Sequence, residues 1–405
     1  MDIGHIIFMF IVMLLLAAMT HPLAEKLRLP FSALLLVMGF LTSQLIEVLE
    51  FDTGLRWYHF EDLIFKIFLP LLIFESALNI NSRALLRNLA TVLVLAIPVM
   101  LLSAGIIATI LYYGINHTGF PWIAALVCGA LLSATDPVAV LDTFKRFKVS
   151  ERLGVLMEGE SLFNDAIAIV LFGLLMSIAM EPAQQPGWSE PIWSFLYVFF
   201  GGIAFGLVLG LLALLAYQWM GNAILCTSVS LAFAYLAFIG AEEWLHVSGV
   251  MAVLSCGLCL GWVAEKNPGE EGRHMLFTWR FLAFIANAFV FLLVGLTINL
   301  SMFSDMWLGM LIGILAVLVA RAVGVYSTLP WLGKLPGIAP ITGKQQLMVN
   351  WGGLRGVVAV ALALSLPLEF EAWYTIQSIT YGVVLFSLLI QAPALSPLLK
   401  YIKGA

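Results

Sequence analysis

Thirteen apolar runs, each near the ~20 residues that cross a hydrocarbon core, follow one another along almost the whole chain. They fall at 3–19, 31–49, 63–80, 90–112, 121–143, 153–179, 192–219, 223–244, 247–265, 281–299, 306–329, 345–367 and 373–399. Between them no hydrophilic stretch is long enough for a soluble domain. Only 11% of the 405 residues are charged and 62% are hydrophobic, against roughly 25% charged in a soluble domain. The formal net charge of -5 leaves no basic surplus for nucleic acid and no acidic tail. The chain reads as an all-α polytopic protein embedded in the lipid bilayer, and nucleic-acid binding is excluded. Its first run follows Asp2 rather than a basic segment, with no small-residue cleavage site after it, so it reads as a span and not as a removable signal. Cys128, Cys226, Cys256 and Cys259 all lie inside apolar runs. The C-x-x-C of the last two lacks the polar, accessible thiolate of a redox pair and reads as packing.

Basic residues collect in cytoplasmic loops of membrane proteins, and they test the count. Fifteen follow odd-numbered runs: Lys26, Arg28, Arg83, Arg87, Lys145, Arg146, Lys148, Arg152, Lys266, Arg273, Arg280, Lys334, Lys344, Lys400 and Lys403. Only Arg56 and Lys66 follow even-numbered ones, where Glu47, Glu50, Asp52, Glu61, Asp62, Glu181, Glu190, Glu242, Glu243, Asp305, Glu369 and Glu371 gather instead. A miscounted span would scramble this split. It places the N-terminus outside and the C-terminus in the cytoplasm of a multi-pass cell (inner) membrane protein.

Arg321 and Arg355 fall within the runs, as do Glu75, Asp136, Glu160 and Asp165. A charge at the bilayer centre costs at least ~2.5–3.5 kcal/mol on insertion scales, so each needs a partner or a wet cavity. In run 5, Ser133, Thr135 and Asp136 lead into Pro137, which biases Asp136 away from helical dihedrals and lacks an amide donor. The helix is expected to kink or unwind there; a proline kink with a capping Asp accounts for this as well as a binding site does. Run 6 packs Glu158, Glu160, Ser161, Asn164 and Asp165 into eight residues. Helical spacing puts Ser161 one turn from Asp165 and Glu160 one turn from Asn164, and Asp165 about 18 Å into the helix. Helix–helix hydrogen bonds suit the Ser and Asn but leave two neighbouring carboxylates unexplained. Run 12 is a second interrupted helix, with Arg355 set among Gly352, Gly353 and Gly356. An arginine cannot shed its proton here, so it is expected to face an anion, Glu160 above all, with a purely structural role equally open.

Runs 5 and 12 correspond if the single transmembrane domain, 1–405, comprises a first repeat at 1–180, a linking helix at 192–219 and a second repeat at 223–405. Span 1 then starts outside and span 8 inside, which makes these two six-helix repeats inverted. Gly/Pro-broken helices at matching places in inverted repeats mark the midplane site of a secondary transporter. Carboxylates, hydroxyls and amide oxygens suit an alkali cation. Histidines stand only at 5, 21, 59, 117, 246 and 274, without H-E-x-x-H spacing, and no Walker loop is present. No enzymatic activity and no cofactor are expected. The driving ion is then the proton, since one carboxylate can hold either Na+ or H+.

The strings TDPVAVL (135–141), GESLFNDA (159–166) and GGLRGVVA (352–359) resemble the signature segments of the electroneutral sodium/proton exchanger branch of the monovalent cation:proton antiporters. FLPLLIFESALNI (68–80) is similar to that family's third span, and the likeness covers essentially the whole chain. The resemblance implies that Asp165 binds cation and proton alternately, with Na+ held by Asp165, Thr135 and Ser161. Asn164 stands where electrogenic relatives carry a second aspartate, which implies one-for-one exchange. Asp136 shapes the electrostatics at the unwound crossing, Glu160 pairs with Arg355, and Asn164 and Arg355 support the site. A homodimer is implied, with a static dimerisation part and a core of spans 4–6 and 11–13 that carries the ion. The chain departs from animal exchangers in ending at Ala405 directly after the last run, so the expectation is a prokaryotic member without a soluble regulatory domain.

The expected mechanism is alternating access with Na+ and H+ competing for Asp165, the core moving only when one of them is bound. An ion channel or membrane-embedded receptor would fit thirteen spans as well, an intramembrane enzyme less so for want of a nucleophile and base. A K+- or Li+-selective antiporter remains open, because cavity size and ligand number decide selectivity. Glycosylation acceptors at Asn116–Thr118 and Asn299–Ser301 decide nothing, and Glu75 and Arg321 receive no role.

Overall fold

The computed structural model describes residues 3–27, 29–48, 63–117, 119–180, 189–266, 269–334 and 338–403. Arg28, Glu50, Asp52, Arg56, Glu61, Asp62, Thr118 and Glu181 lie outside the described residues. Each of the thirteen apolar runs is helical: α1 (Ile3–Leu27), α2 (Phe31–Val48), α3 (63–79), α4 (Ser82–Ile115), α5 (Trp122–Arg146), α6 (Glu151–Met180), α7 (Ser189–Met220), α8 (Ala223–Trp244), α9 (Gly249–Lys266), α10 (Glu270–Thr297), α11 (Leu300–Leu332), α12 (343–364) and α13 (Trp373–Ile402). Among the described residues, eight helices are long and apolar enough to cross a membrane unaided. Two are broken in the middle, as Asp136-Pro137 and the glycines of run 12 require. They give α5a (Trp122–Ser133) and α5b (Val138–Arg146), and α12a (Gly343–Trp351) and α12b (Val357–Leu364).

Among the described residues, four π turns lie within or at the ends of helices, at Leu63–Phe68, Leu95–Val99, Gly240–Trp244 and Ser387–Gln391. Three have a proline inside them or two residues on, namely Pro70, Pro98 and Pro393. A proline offers no amide hydrogen to the i−4 carbonyl, and widening the turn by one residue accommodates the loss.

Contacts group the helices into two compact units. The first contains Met1–Ile64, Val99–Ser150 and Ile285–Ala405: α1, α2, the second half of α4, α5, the end of α10, and α11–α13. Here α11 packs on α4 and α13, α4 on α5a, and α12b on α5a and α13. Paired hydroxyls tie α10 to α13, the half-buried Thr297 Oγ1 and the buried Tyr381 OH lying 2.7 Å apart.

The second unit contains Phe65–Pro98 and Glu151–Phe284. Its centre is α9, which packs on α3, α7 and α8. At Gly206 a Cβ would collide with the backbone of Ala252, so α7 and α9 approach this closely only because that position is glycine. Trp279 is fully buried; its Nε1 donates to Ser230 Oγ at 2.8 Å and its ring lies 4.4 Å from that of Phe74. Leu215, Trp219 and Ile224 project outward, as lipid-facing side chains do.

This grouping differs from the expected core of spans 4–6 and 11–13. Helix α6 packs on the first half of α4 and on α3, α7 and α9, which places it in the second unit, while α1 and α2 join α11–α13 in the first.

Candidate functional site

In the first unit, α5a ends at Ser133 and Ala134 is already extended (φ −60°, ψ 138°). Residues 134–137 run without helical hydrogen bonds past residues 352–356 of α12, and the Asp136 amide donates to the Leu354 carbonyl at 2.8 Å. Four half-helix ends meet at this crossing. A broken helix exposes positive amide ends and negative carbonyl ends at membrane depth, and each must be met.

Asp136 meets the positive ends. Its Oδ1 accepts from the Val138 amide at 3.0 Å, and its carboxyl group lies against Gly356, the residue before α12b. One side chain thereby caps α5b and meets the start of α12b. A Cβ on Gly356 would collide with the Asp136 carboxyl group, so only glycine lets the start of α12b reach it.

Arg355 meets the negative end of α5a. It is 1% exposed, and its Nη1 donates to the carbonyls of Ser133 at 2.7 Å and Ala134 at 2.8 Å. The carbonyl end of a helix carries a negative partial charge, and Nη1 meets it. Thr135, next in the chain after these two carbonyls, is buried. Arg321, to which the sequence assigned no role, is a second buried arginine at a helix end: its Nη2 donates to the Val349 carbonyl in the last turn of α12a at 3.0 Å.

The second unit holds the other motif. Helix α6 is unbroken over 30 residues. Glu160, Ser161 and Asn164 are buried, whereas Asp165 is half-buried with its Oδ1 closed off from the surface. The start of the helix is held against α4: Asn81 Nδ2 donates to Glu151 Oε1 at 2.9 Å and Arg152 Nε to Asn88 Oδ1 at 3.0 Å. The polar cluster therefore sits on one continuous helix, about 14–21 Å from its start at Glu151 at 1.5 Å per residue.

Glu75 belongs to a half-buried hydrogen-bonded chain in this unit. Asn79 Nδ2 donates to Glu75 Oε1 at 2.9 Å, and Asn79 Oδ1 accepts from Arg280 Nε at 3.1 Å, linking α3 to α10. Sequence reasoning missed one participant at the α12 break altogether: Gln391, a buried carboxamide in the apolar last span.

Residues 11–401 match the model of the transmembrane sodium/hydrogen exchanger family. The chain belongs to that family. It is a multi-pass membrane transporter and not an enzyme. It is 35% identical to the Na+/H+ antiporter NhaH of Halobacillus dabanensis over 98% of each chain. With the Na+/H+ antiporter ApNhaP of Aphanothece halophytica it shares 36% identity over 90% of this chain and 68% of that one. The sodium proton antiporter MjNhaP1 of Methanocaldococcus jannaschii has a similar fold, with a TM-score of 0.85 at 22% identity and both chains covered in full. The all-α, inverted-repeat architecture with crossing, unwound helices expected of this exchanger is thus the fold it has.

Proposed function

We propose that this exchanger moves Na+ against H+ by alternating access, one for one, with the two ions competing for the carboxylate of Asp165. The observation that carries the reading is the half-buried Asp165 at mid-helix beside the buried Asn164, in a chain of this family. A single ionisable carboxylate takes one Na+ or one H+, so each half-cycle carries one positive charge and the exchange is electroneutral. Bare, Asp165 would cost at least ~2.5–3.5 kcal/mol to carry through the apolar barrier. Bound to either ion it is neutralised, and that difference restricts movement to the loaded forms.

Ser161, one turn before Asp165 on α6, supplies a hydroxyl ligand. Thr135, Asp136 and Glu160 enter the proposal through their motifs, each tested by its own substitution. Asp136 and Arg355 act by holding the crossing in shape. The charge split between loops supports an outer N-terminus and a cytoplasmic C-terminus, and the family resemblance supports a homodimer.

Na+-driven pH change in proteoliposomes, under a K+/valinomycin voltage clamp, tests the reading on wild type and Asp165→Asn. The expected result is proton movement opposite to Na+ that ignores voltage, and none in the variant. Voltage-dependent exchange would overturn the stoichiometry. Na+ flux without protons would overturn antiport, and exchange driven by K+ but not Na+ would overturn the choice of cation.

A further inference from the structure

The π turn at Ser387–Gln391 brings Gln391 to the break in α12. Gln391 is 2% exposed, and its Nε2 donates to the Trp351 carbonyl at 2.8 Å. Trp351 returns the contact, its indole Nε1 donating to the Gln391 backbone carbonyl at 3.0 Å. The carboxamide oxygen accepts from Ser387 Oγ at 3.3 Å, which fixes the side chain's rotamer.

Trp351 is the last residue of α12a. A helix that stops there orphans its last four carbonyls, and all four are met. Gly352 N reaches Met348 O at 2.8 Å and Gly353 N reaches Asn350 O at 3.5 Å. Arg321 takes Val349 O, and Gln391 takes Trp351 O. The two glycine amides belong to α12 and would travel with the break if it moved along the chain. Arg321 and Gln391 come from other helices and act at fixed places.

We propose that Gln391 is a positioning residue for transport: with Trp351 it forms a two-way latch that sets the residue at which α12 unwinds. Without it, α12a can wind on through Gly352. One added helical residue rotates the chain beyond it by about 100°, which swings Arg355 away from the Ser133 and Ala134 carbonyls and uncaps α5a. The latch's effect on transport rests on the antiport reading; its effect on the backbone does not.

Two readouts separate these. Gln391→Met keeps the length and apolar volume of the side chain and removes its carboxamide. Amide hydrogen exchange of the purified protein is expected to speed up at least tenfold over residues 352–356, with 373–386 unchanged. In proteoliposomes the Na+ KM is expected to rise at least threefold, while the maximal rate per folded transporter stays within twofold. Trp351→Phe, which removes the indole donor and shortens the ring while leaving the Gln391 carboxamide in place, should shift both readouts the same way by less, and it carries the test if Gln391→Met does not fold. Added to Gln391→Met it should contribute little more. Unchanged exchange over 352–356 in both variants, or a lower maximal rate at constant KM, would overturn the latch. Faster exchange over 352–356 in a protein whose wild type shows no cation/proton exchange would uphold the latch and sink the antiport reading instead.

Discussion

Replacing Asp136 by Asn changes one atom and tests whether a single carboxylate holds two half-helices together. The carboxylate accepts from the Val138 amide and lies against the start of α12b. A carboxamide has one acceptor oxygen and turns an NH2 toward one of these two helix starts, so an amide end loses its acceptor at about 1–3 kcal/mol. The charge is lost as well, and with it about 0.3–1 kcal/mol at each helix N-terminus, up to ~2 in a partly buried setting. The sum is about 2–5 kcal/mol. At ~2–4 °C per kcal/mol for a unit of roughly 150–250 residues, the melting midpoint of the purified protein should fall by at least ~4 °C. Tryptophan fluorescence reads the transition, and Asp136→Glu serves as the control that keeps the charge. A midpoint within ~1 °C of wild type, or an equal loss in Asp136→Glu and Asp136→Asn, would refute the shared cap.

The competition proposed at Asp165 should make the apparent Na+ KM climb as pH falls, by roughly tenfold per unit where protons come to occupy the site; a KM flat across that range contradicts it. Trp279→Phe leaves Ser230 Oγ without its buried donor and should cost about 1–3 kcal/mol, while Ser230→Ala adds little on top, a coupling that a thermal double-mutant cycle measures. Asn79→Ala breaks the chain from half-buried Glu75 to exposed Arg280 and should leave stability within about 1 kcal/mol of wild type. A larger loss there would show that the chain matters more than its exposure allows.

The helices were legible because each needs a continuous apolar stretch, and all thirteen expected runs are helical. Their ends were not. Helix α4 was expected at 90–112 and spans Ser82–Ile115, since its first turns carry Arg83 and Arg87 on an exposed face and bury Leu85 on the other. Hydropathy detects membrane depth and passes over such an amphipathic extension. Both breaks were legible, from Pro137 in one case and three glycines in the other. What closes the breaks was not. The two carbonyls that Arg355 Nη1 meets were not foreseen, and Arg321 and Gln391 received no role, although each caps the end of α12a. Charge and hydropathy mark a polar group as needing a partner, but which carbonyl it reaches depends on helices far away in sequence. The motif of α6 was legible as a cluster because helical spacing alone gathers Glu160, Ser161, Asn164 and Asp165.

The caps at the crossing also constrain how this protein is made. Arg355 and Ser133 are 222 residues apart, so α5 leaves the ribosome long before the side chain that completes it. At ~5–20 residues per second the interval is roughly 11–44 s, during which α5 must reside in the membrane with a proline break, uncapped carbonyls and an ionisable Asp136. Biogenesis therefore depends on something that shelters the half-made chain, whether the insertion machinery or a provisional pairing with α4. A protein truncated before α12 should carry that unfinished helix permanently, a mark by which membrane quality control can recognise it.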